Sequence, residues 1–101
     1  MINEMLGVGS ENVTTAAELA RRLNTDKRTV MQLIRTERLE GELICANNKG
    51  YFMPKDINDV NETISRLYKQ AREGRAVAEA MKNTRDDEIS KGEKKRWLRS
   101  V

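Results

Sequence analysis

Apolar residues in the first half of the chain recur at helical spacing in short bursts separated by turn formers, and near residue 44 the pattern shifts to strand-like runs. Ile2, Met5 and Leu6 are spaced for a short helix that stops at Gly7-Val8-Gly9-Ser10 and caps a core. Val13 and Thr14 predict a strand of about two or three residues, able to pair with a later hairpin. Thr15-Ala16-Ala17-Glu18 then reads as a capping box: the Thr15 hydroxyl accepts from the third helical amide and Glu18 reaches back to the cap amide. The helix it opens should bury a stripe of Ala16, Leu19, Ala20 and Leu23. Asn24 tolerates the left-handed conformation that ends a helix, and Asp26 suits the N-cap of the next. From Lys27 to about Arg38, a rotation of roughly 100° per residue puts Val30, Leu33 and Ile34 on one side. Arg28, Gln32 and Arg35 gather on the other, flanked by Met31 and Thr36. Glu37 falls near the core side, where an apolar residue belongs, and is expected to pair with a nearby arginine.

Leu39-Glu40-Gly41-Glu42 breaks this helix. Strand-like runs at Leu43–Ala46 and Tyr51–Met53 flank the turn sequence Asn47-Asn48-Lys49-Gly50, with core packing expected for Tyr51 and Phe52. Two helices joined by a short turn and followed by a hairpin outline a winged helix-turn-helix. The expected fold is therefore mainly α (α+β), with a two- or three-stranded wing and a long C-terminal helix. After Pro54-Lys55, Asp56 is an N-cap for that helix. Ile57, Val60, Ile64, Leu67, Ala71, Gly74, Ala78 and Met81 follow at alternating spacings of 3 and 4, a heptad a/d seam. Over roughly 37 Å of helix this is more than a small domain needs for its own packing, and a second copy of the chain is the natural partner. From about Asn83 the sequence turns polar, with disorder the expectation, and it closes on the basic aromatic cluster Lys94-Lys95-Arg96-Trp97-Leu98-Arg99. The expected division is a winged domain over 1–54, a dimerisation helix over 55–83 and a polar basic tail over 84–101.

Composition narrows the function classes. At 101 residues with 38% hydrophobic and 4% aromatic side chains, the chain supports one small core built from aliphatic residues, which favours helices over a sandwich or barrel. Its net charge is only +3, but the window Leu19–Arg38 holds Arg21, Arg22, Lys27, Arg28, Arg35 and Arg38 against Asp26 and Glu37, a local excess of +4. Cys45 is the sole cysteine and there is no histidine, which points to a reducing cytosol and removes most metal and acid–base chemistry. Neither a nucleophilic triad nor a Gly-rich phosphate loop can be assembled, so neither an enzyme nor a cofactor or metal site is expected. No run approaches the roughly 18 apolar residues of a membrane span, and a cytoplasmic protein with no membrane partner is expected.

Thr15–Ala20 (Thr-Ala-Ala-Glu-Leu-Ala), Arg28-Thr29-Val30, Leu33–Arg38, Gly41, Ile44 and Gly50-Tyr51-Phe52-Met53-Pro54 together resemble small winged helix-turn-helix proteins encoded by phages and prophages of low-GC Gram-positive bacteria. More distantly the pattern is similar to DeoR-like and biotin-repressor-type winged domains. The resemblance covers residues 13 to 54, with Gly-Tyr-Phe-x-Pro after the hairpin its most distinguishing part. It implies a DNA-binding domain whose recognition helix runs from 27 to 38. The chemistry of that helix agrees, because arginine bridges guanine O6 and N7, glutamine bridges adenine N6 and N7, and Met or Thr methyls touch thymine. The expected duplex-contacting residues are Thr15, Lys27, Arg28, Thr29, Gln32, Arg35 and Thr36, with Asn48 and Lys49 at the hairpin tip. The reading is a homodimeric, sequence-preferring binder of double-stranded DNA, a transcriptional regulator in a phage or prophage setting. Its rivals are a protein-interaction module, such as an antirepressor or replication adaptor meeting a phage or host protein, and an excisionase-like DNA bender.

Overall fold

A computed structural model of the chain describes residues Met1–Gly92. It is mainly helical, with 62% helix and one small antiparallel sheet. Contacts divide the chain into two compact units, Met1–Arg66 and the stretch from Leu67 onward. The basic cluster from Lys94 to Arg99 lies outside the described residues.

The first unit opens with a single 3-10 turn at Asn3–Met5, which presses Ile2 fully into the core. Helix α1 (Ala16–Arg22) begins at Thr15, whose Oγ1 accepts the Glu18 N–H at 3.1 Å. Only this half of the capping box forms. The Glu18 carboxylate turns instead to Arg21 Nε at 3.1 Å and Arg22 Nε at 3.0 Å, because charge-assisted bonds outcompete a neutral cap amide. Asn24 takes the left-handed conformation (φ 52°) that ends α1. Asp26 Oδ1 then accepts the Thr29 N–H at 2.7 Å and starts helix α2 (Lys27–Leu39). Gly41 closes α2 at φ 105°, and the Gly41 N–H to Arg38 and Glu42 N–H to Glu37 bonds, 3.1 and 2.9 Å, make a Schellman cap.

Leu19, Ala20, Val30, Ile34, Ile44 and Ile2 form the core, with Ala16, Leu23, Leu33, Met5, Tyr51 and Met53 packed around them. The predicted apolar stripes of both helices meet there.

The sheet is shorter than the hydrophobic runs imply. Strand β1 is Cys45–Ala46 and β2 is Tyr51–Phe52, paired Cys45 to Phe52 and Ala46 to Tyr51. Leu43 stays outside the ladder and exposed, while Met53 makes a parallel bridge with Val8. The third strand expected at Val13 and Thr14 reduces to one antiparallel bridge, with Thr14 and Tyr51 exchanging both N–H···O bonds at 2.9 Å.

Glu37 corrects an expectation. Among the described residues no arginine pairs with it. Glu37 is only 7% exposed, and its carboxylate accepts the N–H of Ile2 at 2.9 Å, the N–H of Asn3 at 3.2 Å and an N–H of the Met1 ammonium at 3.1 Å. Burial pushes the Glu37 pKa up, but these donors outweigh it and hold the carboxyl below its ordinary 4.5. A charge on the core side of α2 is thereby matched by backbone amides that helix and sheet leave unpaired.

Helix α3 (Ile57–Ser90) starts where Asp56 Oδ1 accepts the Asp59 N–H at 3.2 Å. Its opening turns belong to the first unit, and there Thr63 is the buried side chain. Beyond Leu67 every described side chain is exposed apart from Glu88. The helix does not give way to disorder near Asn83 but continues to Ser90, since no Pro or Gly interrupts Thr84–Ser90 and a Lys91–Asp87 pair at 3.0 Å supports the last turn. Gly92, at φ 66°, ends the described chain.

Replacing Glu37 should expose how far the first unit depends on it. Glu37→Ala strands the Ile2 and Asn3 amides, and urea unfolding at pH 7 should show a loss of roughly 2 to 4 kcal/mol. Because the folded pKa is depressed, the parent holds this contribution above pH 4.5 and loses it as the pH falls through the folded value. The gap between parent and variant should therefore narrow in acid; a gap independent of pH would mean the carboxylate charge is not what binds the amides.

Candidate nucleic-acid interface

The outward face of α2 follows from how its inward face is filled. Val30, Ile34 and Glu37 are buried and Leu33 half-buried, which leaves Arg28, Gln32, Arg35 and Thr36 exposed, with Met31 beside them. Leu39 joins this face. It lies four residues after Arg35, one turn along the same side, and is 77% exposed at the last helical position. By sequence Leu39 opens the helix break, yet its spacing from Arg35 puts it on this face.

The six cations of the basic window do not share one fate. Arg21 and Arg22 are paired with Glu18, which lowers the Glu18 pKa and raises that of Arg21. Arg38 turns inward, where its Nε donates to the Ile44 carbonyl at 2.9 Å and its guanidinium sits 6.0 Å from the Tyr51 ring centroid. Burial draws the Arg38 pKa down, and its Nη2 is buried with no hydrogen-bond partner. Lys27, Arg28 and Arg35 remain exposed, and none of them is in an ion pair among the described residues. Within this window, the exposed positive charge outside ion pairs is thus that of Lys27, Arg28 and Arg35 on α2.

Lys27, Arg28 and Thr29 stand in the first turn of α2, behind the Asp26 cap. The Thr29 amide is held by Asp26, whose carboxyl is kept below its ordinary pKa by that bond, and the Thr29 side chain is half-buried. Thr15 is exposed, and its oxygen serves as the N-cap acceptor of α1 while its O–H stays available as a donor.

At the hairpin tip, Asn47 Oδ1 accepts the N–H groups of Lys49 at 2.8 Å and Gly50 at 3.2 Å, and Asn48 and Lys49 are exposed. Asn48 has a partner that sequence spacing could not reveal, Arg66 of α3, which donates to its Oδ1 at 2.8 Å. Of the two aromatics beyond the tip, Phe52 is buried, whereas Tyr51 is half-buried and lies beside the Arg38 guanidinium. Cys45 is a buried structural thiol whose pKa is pushed up by burial.

The seam residues of α3 are not used by the first unit's core. Ile57 and Ile64 are exposed and Val60 is half-buried, while the packing contact is made by Thr63, off the seam. In the second unit Leu67, Ala71, Gly74, Ala78 and Met81 are all exposed, as are Tyr68, Val77 and Ile89. Among the described residues no group of His, Cys, Asp or Glu is placed to hold a metal ion, and no helix is long and apolar enough to cross a membrane.

In comparisons with known proteins, the chain matches no family model, no curated protein and no solved structure.

Gly50 shows how tightly the tip is seated. A Cβ there would fall 2.6 Å from the Thr14 carbonyl oxygen, a backbone atom that cannot swing aside. Gly50→Ala should lower stability by about 1 to 3 kcal/mol, read as a lower urea midpoint at unchanged slope. An unchanged midpoint would show that the Thr14 bridge yields.

Proposed function

We propose that this protein binds double-stranded DNA with a sequence preference, using residues 1–54 as a winged helix-turn-helix. The observation that carries the reading is the outward face of α2, where Arg28, Gln32 and Arg35 stand exposed and free of carboxylate partners among the described residues. Three nearby carboxylates are engaged elsewhere: Glu18 with α1 arginines, Asp26 in a cap and Glu37 with the N-terminal amides. What is left is a cationic and amide-bearing surface with apolar Met31 and Leu39 at its margins, which matches the donor, acceptor and methyl pattern of a major groove. The residues expected at the duplex are Lys27, Arg28, Thr29, Gln32, Arg35 and Thr36 along α2 and Thr15 at the start of α1. Asn48 and Lys49 of the hairpin tip grip flanking phosphates.

Two copies pair through α3 in this reading. From Leu67 on, a helix exposed on nearly every side and containing Gly74 has little intrinsic stability, and burying Ile64, Leu67, Ala71, Ala78 and Met81 against a second copy supplies what the chain itself does not. Dimer symmetry then predicts an inverted repeat with half-site centres about 34 Å, or a multiple of it, apart. The role that fits is a transcriptional regulator in a phage or prophage setting. The same bare helix is the one observation that favours the second reading, an interaction module whose α3 meets a different protein.

Arg28→Ala and Arg35→Ala should each lose roughly 1 to 3 kcal/mol of discrimination between selected and unrelated duplexes in fluorescence anisotropy. Variants that bind and discriminate as the parent does would place base reading elsewhere. Light scattering of the parent should give a dimer, and Leu67→Asp a monomer. A monomeric parent at high concentration removes the paired helix from the proposal.

A further inference from the structure

Two side chains of α3 hold the hairpin from strand to tip. Thr63 Oγ1 accepts the Ala46 N–H at 3.3 Å and donates to the Asp59 carbonyl at 2.9 Å, while Arg66, one turn on, donates to Asn48 Oδ1 at 2.8 Å. A guanidinium can only donate, so the Asn48 amide must give Arg66 its oxygen and keep its NH2 group for something else. Within the turn the Lys49 and Gly50 N–H groups donate to Asn47 Oδ1, and among the described residues no acceptor is bonded to the Asn48 NH2. Arg66 spends one of its five N–H donors on Asn48. Neither Lys49 nor Arg66 is in an ion pair among the described residues. Asn48, Lys49 and Arg66 therefore offer side-chain N–H donors and two positive charges.

We propose that Arg66 is a phosphate-binding and positioning residue for duplex DNA at the hairpin tip, orienting Asn48 and adding a second cation beside Lys49. This rests on the DNA-binding reading and extends it to a residue outside the helix pair and the hairpin. Contacts of this kind fix register on the backbone and carry no base information. A tip already held at Ala46 and Asn48 by one helix also loses less freedom on binding than a free hairpin does.

The test uses the full chain and fluorescein-labelled duplexes of selected and mixed sequence, with anisotropy read across a salt series. Arg66→Gln can still donate to Asn48 but carries no charge. It should bind every sequence roughly eightfold more weakly at 0.1 M salt, with the slope of log affinity against log salt reduced by about 0.9. Arg66→Lys should restore the slope, and thermal melts monitored by circular dichroism should show both variants folded. If Arg66→Gln keeps the parent's slope and affinity while Arg28→Ala loses discrimination, Arg66 has only a structural role and the DNA reading survives. If the parent fails to bind any duplex at the lowest salt, both fall together.

Discussion

The buried carboxylate of Glu37 sets the rotation of α2 about its axis. An unpaired charge at that depth would be costly, and removing its donors is not an option the helix can relax around. The amides of Ile2 and Asn3 must lie within 2.9 to 3.2 Å of it, which brings the N-terminal turn across the end of α2 and seats Ile2 in the core. With Val30, Ile34 and Glu37 facing in, Arg28, Gln32, Arg35 and Leu39 have only one direction left. The proposed groove-reading face is in this sense a consequence of what the other side of the helix must satisfy.

A second constraint is the division of charge. Counting cations in the window Leu19–Arg38 treats them as equal, and the structure separates them by what each side chain can reach. Arginines three and four residues after Glu18 are captured by it, and Arg38 is drawn under the hairpin by the Ile44 carbonyl and the Tyr51 ring. Exposed ion pairs of the first sort contribute little stability, but they remove both charges from the field a polyanion would feel. Helix α3 divides its faces similarly. Thr63 and Arg66 serve the hairpin, and the heptad positions are left uncovered by the first unit's core.

Much of this was legible residue by residue. The left-handed Asn24, the Asp26 cap, the Thr15 cap, the Asp56 cap and the two apolar stripes are properties of four or five neighbouring residues, and each takes the expected form. Elsewhere the structure departs from local pattern, for reasons that differ from place to place. Glu18 bonded to arginines on its own helix instead of its cap because of a competition whose outcome a motif does not encode. Glu37 found partners about 35 residues away in sequence, so the nearby arginine that looked natural was never its neighbour. The strands shrank to two residues each because Leu43 has no partner across the ladder and Met53 turns to Val8 instead. The helix runs on to Ser90 because Thr84–Ser90, though polar, contains no helix breaker.

Taken alone, the sequence determined the order of elements and which side of α2 faces out, because periodicity and capping act over a few residues and survive without knowledge of the fold. Only the tertiary structure decided which cations stay available, what neutralises Glu37 and that Arg66 stands at the hairpin tip. Those outcomes depend on hydrogen bonds between residues 18 to 35 positions apart, or on a local competition for partners, and their geometry exists only once the core has closed.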